Sequence, residues 1–496
     1  MRRNKTGKNF QIEMTNIRYK GDQMNTLSYK TLTKTGFNGH LLRDAPEKVL
    51  QFGEGNFLRA FVDYFIDILN EKSGFNGKVC LVQPIPGGDF IRDAINAQEG
   101  LYTLYLRGFE NGGAVNRKRV ISSVSRCINP YVDNAAFLEN AKNPDLRFIV
   151  SNTTEAGIAY DDSCKFEDAP ANSFPAKMTR FLYERFRIFG NEKGKGFIIL
   201  SCELIDHNGR ELKKCVMRHA ADWNLGEEFT RWLDEENIFC STLVDRIVTG
   251  YPRAEAKSLN EENGYEDNVI DTGECFGFWV IEGPKSIADE LGLDKVDLPI
   301  IVVDDHTPYK QRKVRILNGA HTSFVLGAYL KGFDIVRDCM NDEGIRSFME
   351  ETIYGEIIPT LTLPEKELKD FAASVTERFK NPFIDHKLLD ISLNSVSKWK
   401  ARCLPSVKAY YEKFGKAPKN LSASFRSLLE FYSRGEKWNA EGTALEAKRG
   451  DEIYLVRDDK KILAWFLENR SLPFDALVNR CAANVDFWGE DINVYL

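Results

Sequence analysis

The sequence predicts an α/β protein: a first domain with an open, doubly wound sheet of mainly parallel strands, and a mostly α-helical second domain. Three observations support this fold class. At 496 residues the chain is too long for one compact core. From Glu47 onward, short apolar runs alternate with helical patterns, which is typical of βαβ units. After about Gly283, apolar residues recur at helical spacing instead.

The elements of the first domain follow in this alternating order. Its strand-like runs are "KVLQF", "KVCLV", "LRFIVSN" and "GFIILSCEL". Helical patterns begin at Asn56 and cover Lys177 to Arg187. We place this domain at residues 45–283. Residues 1–44 are polar and rich in Asn, Thr and Gly, which predicts a flexible leader or arm.

The second domain, residues 284–496, begins with one more strand-like run, "LPIIVVDD". Long helical patterns follow, such as "GIRSFMEETIYGEIIPTL", "KELKDFAASVTERF" and "FRSLLEFYSRG", with apolar residues at i, i+3, i+4 and i+7. Two domains of this size can form a cleft between them.

Composition excludes several functional classes. Charged residues make up 28% of the chain and the formal net charge is -6, so the basic bias of a nucleic-acid-binding protein is missing. No apolar run reaches the ~18 residues of a membrane span, and the N-terminus lacks the apolar core of a secretory signal. We expect a cytoplasmic protein, a monomer or small homo-oligomer, with no membrane or nucleic-acid partner.

Cysteine and histidine spacing gives no metal motif. The ten cysteines are scattered without a CxxC pair and are expected to be reduced and mostly buried. The six histidines include no pair at i,i+4. The sequence therefore predicts no bound metal.

The stretch "VLQFGEGNFLRAF" carries a glycine turn between a predicted strand and a predicted helix. Such a turn aims backbone N–H groups and the positive end of the helix at a pyrophosphate. Gly53 permits the tight turn and Gly55 lets a phosphate approach, as in a Rossmann-type dinucleotide site. Leu58 replaces the third glycine of G-x-G-x-x-G, so a plain βα turn is the alternative. Arg59 could add a cation near the phosphates or close a salt bridge.

The end of the next predicted strand, "KVCLVQP", bears on the choice of cofactor. A carboxylate there would bind the ribose hydroxyls and disfavour a 2′-phosphate. Gln83 stands at this position, and its neutral amide repels a phosphate less well. The residues alone therefore leave NAD and NADP open.

The segment "YKQRKVRILNGAHTSF" places Lys313, Asn318 and His321 within one helix face of roughly 140°. A lysine can act as acid or base once burial or a neighbouring cation tunes it, and Asn and His can hold a carbonyl or alkoxide oxygen. Together they would suit proton transfer coupled to hydride transfer. The alternative is a solvated basic turn with an ordinary histidine, because basic residues crowd this stretch.

Two further segments place polar residues near predicted strands. "SNTTEAG" follows "RFIV" and so lies at the carboxyl end of a strand, where open α/β sheets bind ligands. "STLVDRIVTGYP" carries Asp245 beside Arg246 in an otherwise apolar run. For this second segment, a buried Asp–Arg pair with a purely structural role is the alternative.

Several of these segments resemble motifs of the mannitol dehydrogenase family, the polyol-specific long-chain dehydrogenases. "QFGEGNFLRAF" is similar to the family's G-x-G-x-F-x-R-A signature, and "KVRILNGAH" to its K-x-x-x-x-N-x-x-H signature. The resemblance runs from about Glu47 to the C-terminal region. "SNTTEAGI", "CELID" and "STLVDRIVTGYPR" resemble in particular the members that reduce D-tagaturonate with NADH to D-altronate, a reversible step of hexuronate breakdown.

The resemblance implies a Rossmann-type NAD-binding domain, a helical second domain and a metal-independent active site between them. It implies that Lys313 is the general acid/base and that Asn318 and His321 hold the reacting oxygen. Asp245 matches an active-site aspartate. The candidate nucleotide-binding residues are Gln51, Phe52, Gly53, Gly55, Asn56, Phe57, Arg59, Ala60, Gln83, Asn152, Thr153 and Glu155.

The sequence departs from the mannitol dehydrogenases at two places. Their S-C-D-N word reads Ser201, Cys202, Glu203, Leu204 here, so the oxygen contact of its Asn is absent or supplied elsewhere. A position that is Glu in some polyol enzymes is Lys310, which could favour the neutral form of Lys313 or attract a substrate carboxylate.

A uronate carries a carboxylate that mannitol lacks, so an additional cation is expected in the site. Arg378, Lys387 and Lys398 are candidates. The "RFKNP" segment resembles a substrate-side motif of the family, which favours Arg378 together with Asn381.

Three other functions are compatible with these residues. A related enzyme of the same family could reduce fructuronate or a neutral, mannitol-type substrate. A nucleotide-binding sensor could keep the fold without catalysis, although Lys313, Asn318 and His321 argue against it. A metal-dependent dehydrogenase would lose activity on chelation.

Overall fold

The computed structural model describes residues 24–110, 113–154, 156–190 and 192–496. The strands are β1 (Glu47–Phe52), β2 (Lys78–Val82), β3 (Tyr102–Glu110), β4 (Gly113–Ile121), β5 (Val124–Ile128), β6 (Phe148–Ser151), β7 (Ile198–Ser201), β8 (Ile238–Asp245), β9 (Asp271–Glu274), β10 (Phe278–Glu282), β11 (Ile300–Val303), β12 (Gly435–Trp438), β13 (Leu445–Arg449) and β14 (Glu452–Val456).

An eight-stranded sheet with the order β11-β10-β8-β7-β6-β1-β2-β5 organises the first part of the chain. Strands β5, β2, β1, β6, β7 and β8 run parallel, whereas β10 pairs antiparallel with β8. The parallel order is that of a dinucleotide-binding sheet, and its direction of winding reverses between β1 and β6. The loops that follow these two strands therefore flank the expected ligand crevice.

The parallel strands form because they are buried on both faces and read as nearly continuous apolar runs. Every residue of β2, β6 and β7 is buried. One face packs under the helix that contains Phe61 and Phe65, and the other packs under helices that supply Phe181 and Trp232. A smaller sheet, β4-β3-β9, adjoins the first face.

The α-helices are α1 (Tyr29–Lys34), α2 (Asn56–Leu58), α3 (Tyr64–Lys72), α4 (Asp89–Ala97), α5 (Asn134–Glu139), α6 (Phe174–Phe189), α7 (Asn208–Asp222), α8 (Glu227–Glu235), α9 (Ala256–Asn263), α10 (Ser286–Leu291), α11 (Thr307–Arg312), α12 (Gly319–Leu330), α13 (Val336–Asn341), α14 (Glu343–Glu351), α15 (Glu365–Phe379), α16 (Leu388–Ile391), α17 (Ser395–Arg402), α18 (Leu404–Phe414), α19 (Lys419–Ser433), α20 (Lys460–Asn469), α21 (Phe474–Ala482) and α22 (Val485–Trp488). Shorter π-helical segments span Arg59–Asp63, Lys313–Asn318 and Thr352–Ile357, and 3₁₀ turns span Asn140–Lys142, Leu293–Lys295, Ile358–Thr360 and Asn493–Tyr495.

The second part of the chain packs its helices around a core of its own. Helix α12 is buried almost all round and lies at the centre, in contact with α19. The predicted fold class, a doubly wound α/β domain followed by a mostly helical one, is confirmed. The small antiparallel sheet β12-β13-β14 within the helical part was not predicted.

The placement of β11 differs from the expected division at residue 283. The "LPIIVVDD" run forms β11, which pairs parallel with β10 at the edge of the large sheet. Residues up to Val303 therefore pack with the first domain, because β11 completes the hydrogen bonding of β10.

The N-terminal segment also differs in part from the expected leader. The part of that prediction on residues 1–23 lies outside the described residues. Residues 24–44, however, pack on the domain: Leu27 and Leu32 are buried against Leu101, Val120 and Tyr265. The physical reason is that helix α1 turns Leu32 towards the small sheet, while Leu27, just before the helix, is held there by its backbone hydrogen bond to Glu266.

Across the described ranges, no helix combines the length and apolarity that a membrane crossing requires.

Candidate active site

The glycine turn follows β1 and has the conformation that the sequence suggested. Gly53 has φ +128°, and a Cβ there would lie 2.9 Å from Leu58 Cδ1 and 3.2 Å from the Asn152 carbonyl oxygen. Only glycine fits both the dihedral angle and the space. Gly53 thus lets the loop after β1 pass close to the loop after β6.

Gly55 forms an open cradle at the start of the next helix. It is the N-cap of the helical run beginning at Asn56, no side chain caps that end, and nothing lies within 4 Å of a Cβ built on Gly55. Free first-turn N–H groups and open space in front of them are what a nucleotide pyrophosphate requires. The residues present therefore fit a dinucleotide.

Arg59 does not supply a phosphate-binding cation. It is buried, and it donates hydrogen bonds to the carbonyl oxygens of Glu54 and Val269 and lies 3.8 Å from Asp271. Its charge acts on the buried Asp271. Burial raises the pKa of Asp271 to about 7, and the positive charge of Arg59 opposes this rise. The structure supports the salt-bridge alternative, because Arg59 pairs with Asp271. Its hydrogen bond to the Glu54 carbonyl oxygen stabilises the glycine turn.

Several other predicted nucleotide residues lie beneath the loop. Phe52 packs between Phe137 and Phe174, Ala60 is buried, and Gln51 donates to the Gly53 carbonyl oxygen 3.0 Å away. They shape the turn without presenting a polar group to a ligand.

Gln83 is likewise engaged within the protein. Its Nε2 donates to the carbonyl oxygens of Ile85, 3.1 Å away, and of Gly87. This amide nitrogen is therefore not available to a ribose hydroxyl, because the loop after β2 folds back over it.

The loop after β6 forms the facing wall. Asn152 and Thr154 line a cavity of about 450 Å³ together with Asn56 and Phe57. Thr154 has φ +76°, which is unusual for a β-branched residue and marks a constrained backbone at the ligand crevice. We call this space the nucleotide-side cavity. The predicted Glu155 lies outside the described residues.

Glu203 holds this loop, a role that the sequence did not reveal. Its carboxylate accepts hydrogen bonds from Ser151 Oγ, from the Thr153 backbone N–H and from Thr153 Oγ1, at 3.1 to 3.2 Å. Burial raises the pKa of Glu203, and these hydrogen bonds oppose the rise. The only signal was an acidic residue two positions after a buried strand. Thr153 therefore anchors the loop rather than facing the cavity.

Lys313 and Asn318 lie on the π-helical segment Lys313–Asn318 that precedes α12. In a π-helix the backbone bonds run from i to i+5, so residues five apart lie nearly one above the other. The two side chains are thus brought closer together than on the regular α-helix assumed from the sequence. Both line a second cavity of about 420 Å³, the substrate-side cavity.

Lys313 lines both cavities. Its Nζ donates to the Val244 carbonyl oxygen at 2.8 Å and lies 3.6 Å from Asp245 Oδ1. Leu204, the last residue of the segment that was expected to differ from the S-C-D-N motif, also borders both cavities and is 64% exposed. Its apolar side chain cannot donate the hydrogen bond to the reacting oxygen that an asparagine would supply. A bound ligand would instead cover the leucine side chain.

Asp245 is buried between two cations. Arg378 donates to both of its oxygens, at 3.0 and 3.1 Å, and Lys313 Nζ lies 3.6 Å from Oδ1. Burial alone would raise the pKa of Asp245, but the charges of Lys313 and Arg378 outweigh it and hold that pKa below its ordinary value. The neighbouring Arg246 is not its partner, because that guanidinium donates to the Ala60 and Phe276 carbonyl oxygens.

His321 follows on α12, where its ring stacks on Phe379 with centroids 4.0 Å apart and meets His386 edge-on. Burial, followed by the nearby charges of His386 and Arg378, holds the pKa of His321 well below its ordinary value, so the imidazole is neutral. Within the described ranges its buried Nε2 has no hydrogen-bond partner. A neutral ring whose Nε2 carries the proton can donate to a substrate oxygen, but His321 itself is not among the residues that line the substrate-side cavity.

The predicted carboxylate ligand Arg378 is fully engaged. Besides Asp245 it binds Glu274 through two N–H groups, at 2.8 and 2.9 Å, and it lines a separate, smaller cavity. Asn381 faces that smaller cavity too, and its amide donates to the Arg107 carbonyl oxygen. Neither therefore presents a free group to the substrate-side cavity.

The remaining predicted cations are also accounted for. Lys310 lines the substrate-side cavity but is ion-paired with Asp206. Lys398 donates to the Ile391 carbonyl oxygen at 2.9 Å, and Lys387 is exposed.

One group of side chains in the described ranges could offer metal ligands. The ligand atoms of His207, Glu282 and His306 lie within 4.8 Å of one another. Glu282 already accepts from the His306 ring at 2.5 Å and from Arg210 at 2.5 Å. This is a hydrogen-bonded cluster at the rim of the substrate-side cavity, apart from Lys313.

The fold and the site together define a nucleotide-dependent α/β dehydrogenase with a helical second domain. Residues 47–295 match the Mannitol dehydrogenase Rossmann domain and residues 305–485 match the Mannitol dehydrogenase C-terminal domain, so the chain belongs to the mannitol dehydrogenase family. The family resemblance found in the sequence is confirmed.

Among curated relatives, the chain is 47% identical over 470 residues to the altronate oxidoreductase of Yersinia enterocolitica serotype O:8. It is 48% identical over 470 residues to the altronate oxidoreductase of Escherichia coli O7:K1. Each match covers 93% of this chain and 94% of the relative.

Two solved structures share the fold. Mannitol 2-dehydrogenase of Pseudomonas fluorescens, solved with NAD and D-mannitol, has a TM-score of 0.66 at 22% identity and covers 95% of both chains. A substrate-free D-sorbitol dehydrogenase has a TM-score of 0.73 at 21% identity, covering 92% of this chain and 96% of that one.

Proposed function

We propose that this chain is an NAD-dependent oxidoreductase that interconverts D-tagaturonate and D-altronate. The observation that carries the proposal is the position of Lys313, whose side chain lines both the nucleotide-side and the substrate-side cavity. The relatives named altronate oxidoreductase support this choice of substrate, because almost half of the aligned residues are identical over 93% of the chain. The Rossmann-domain match and the open cradle at Gly55 support a dinucleotide cofactor.

Lys313 is the proposed proton donor in the reducing direction. When bound, NADH supplies the hydride that reduces the ketone carbon. Lys313, as an ammonium group, gives its proton to the ketone oxygen, which becomes the alcohol. Asp245 Oδ1 lies 3.6 Å from Nζ, and the Val244 carbonyl oxygen orients the Nζ group by accepting a hydrogen bond from it. In the oxidising direction the amine takes the proton back.

Asn318 and His321 are the proposed ligands of the reacting oxygen. No described residue hydrogen-bonds the Asn318 amide, and the buried His321 Nε2 is unpartnered. Donors placed in advance where negative charge develops stabilise the transition state more than the ground state. Both groups are therefore free to hydrogen-bond the reacting oxygen of the substrate.

The substrate assignment predicts a selective reductase. With NADH we expect rapid turnover of D-tagaturonate and much slower turnover of D-fructuronate or D-fructose, followed by the absorbance of the reduced nicotinamide. Repeating each assay with NADPH fixes the cofactor. Robust turnover of fructuronate or fructose, with none of tagaturonate, would overturn the assignment.

Chelation gives a second expected result. Overnight dialysis against EDTA should leave the rate of tagaturonate reduction unchanged, because the proposed proton transfer uses Lys313 and no metal. A metal analysis of the dialysed protein is the control that removal was complete. Loss of activity that returns on adding Zn²⁺ would instead point to the cluster of His207, Glu282 and His306.

We also propose a cytoplasmic location and a monomer or small homo-oligomer. All ten cysteines are free thiols and most are buried, which suits a reducing compartment. The net charge of -6 supports the absence of a nucleic-acid partner.

A further inference from the structure

The substrate-side cavity contains one cation, Arg402, that no described carboxylate pairs with. Two lysines and one arginine line this cavity: Lys310, Lys313 and Arg402. Lys310 is ion-paired with Asp206, and Lys313 faces Asp245. Within the part of the chain that the structure describes, no carboxylate oxygen lies within 4.0 Å of the Arg402 guanidinium. An arginine that lines a cavity without a counter-ion is available to an anionic ligand.

Backbone packing fixes the position of Arg402. It is the last residue of α17, and its carbonyl oxygen would lie 3.2 Å from a Cβ on Gly319. Glycine at 319 therefore permits the close approach of α17 to the start of α12. The Sγ of Cys403 adds a contact to the Gly319 carbonyl oxygen at 3.7 Å. Arg402 is thus held at the same helix end that carries Asn318.

The guanidinium keeps most of its hydrogen-bonding capacity. Its one hydrogen bond to a described side chain is a long contact of 3.4 Å from Nη1 to Thr322 Oγ1. Arginine has five N–H donors in a rigid plane, and two of them can bind a carboxylate side by side. Geometry and donor count therefore match a carboxylate better than a hydroxyl group.

The surroundings favour an anion at this place. Burial lowers the pKa of Arg402. Burial also lowers the pKa of Lys398 on the same helix, and the charge of Arg402 lowers it further. Two partly dehydrated cations one helical turn apart repel each other unless an anion lies nearby. Asp458 offsets part of this repulsion at Lys398, and an anionic ligand at Arg402 would relieve the rest.

We propose that Arg402 binds the carboxylate of the substrate while Lys313 and Asn318 bind the ketone end. This inference rests on the proposed function and deepens it, because it names the residue that distinguishes a uronate from a neutral ketose. The three side chains line one cavity, so a single extended sugar acid can reach all of them. Arg402 replaces the cations expected from the sequence, which are neutralised or lie elsewhere.

The test compares a charged and a neutral substrate. In Arg402→Met, kcat/KM for D-tagaturonate should fall about 10- to 100-fold, the worth of hydrogen bonds to a charged group. Most of the loss should lie in KM, because Arg402 contacts a part of the substrate that does not react. For D-tagatose, which carries a hydroxymethyl group in place of the carboxylate, wild type and variant should agree within about twofold by the same reasoning.

Binding without turnover provides an independent measurement. The Kd of D-altronate for the NADH-bound enzyme should rise by a similar factor in Arg402→Met, and Arg402→Lys should recover only part of the affinity, because lysine lacks the planar fork. Arg434→Met, which removes a partly exposed arginine paired with Glu430, is the matched control and should change neither value.

The possible outcomes separate this inference from the proposed function. A wild-type enzyme that reduces tagaturonate, with an Arg402→Met variant of equal KM and equal altronate affinity, would refute the role of Arg402 and leave the function standing. A wild-type enzyme that prefers fructuronate would overturn the function, and the same variant assayed with fructuronate would still decide the role of Arg402. A preference for neutral ketoses would overturn both.

Discussion

Replacing Lys313 by alanine is expected to lower kcat for tagaturonate reduction by about 10²- to 10⁴-fold, the usual contribution of a general acid. The affinity for NADH should change little, because the cradle at Gly55 and the loop at Asn152 remain intact. The variant should also fold, since Asp245 keeps its two hydrogen bonds from Arg378. Steady-state kinetics together with NADH titration by fluorescence would measure both effects.

A rescue experiment distinguishes proton donation from a purely structural role. Added methylammonium should restore part of the rate of Lys313→Ala, because the small cation can enter the vacated space and donate a proton. Lys366→Ala, which removes an exposed lysine paired with Asp370, serves as the control and should behave like wild type. Full activity of Lys313→Ala, or a loss that no amine restores and that accompanies weaker NADH binding, would contradict the assignment.

The large sheet could be predicted because each of its central strands is buried on both faces and therefore reads as an apolar run. Strand β4 could not be predicted in this way, because its sequence "GAVNRKRVI" is mostly exposed, has basic residues at its centre and contains no apolar run. Helix α1 escaped prediction for a related reason. Leu27 and Leu32 are its buried anchors, with Tyr29, Phe37 and Leu41 partly buried beside them, and these irregularly spaced apolar residues in a polar segment do not establish a helical period.

The candidate site could be predicted where its residues lie close together in sequence. It could not be predicted where a side chain's role depends on ion pairs with residues far away in the chain. Spacing and family resemblance brought Lys313 and Asn318 together, and the structure places both on one cavity. Arg378 was expected to be free for the substrate, yet its partners Asp245 and Glu274 lie 133 and 104 residues away in sequence. That no described carboxylate pairs with Arg402 is equally a property of the folded chain.

Replacing Arg378 by methionine is expected to destabilise the protein by about 3–5 kcal/mol at neutral pH, because it leaves buried carboxylates without a counter-ion. Asp245 and Glu274 both bind this guanidinium, and all three side chains are at most 5% exposed. Thermal unfolding followed by circular dichroism would show a lower melting temperature. Arg426→Met, which breaks an exposed pair with Asp475, should cost no more than about 1 kcal/mol.

The pH dependence of the Arg378→Met effect follows from the sign of the Asp245 shift. In the parent protein the pKa of Asp245 is lowered, so its stabilising contribution is present above the pKa of the unfolded chain, about 3.9, and is lost as pH falls through the folded value. Without Arg378, burial raises the pKa of both carboxylates, and ionising them opposes folding. The difference in melting temperature between parent and variant should therefore be larger at about pH 7.5 than at about pH 5. A difference that stays constant or shrinks as pH rises would show that Arg378 contributes through packing rather than through its charge.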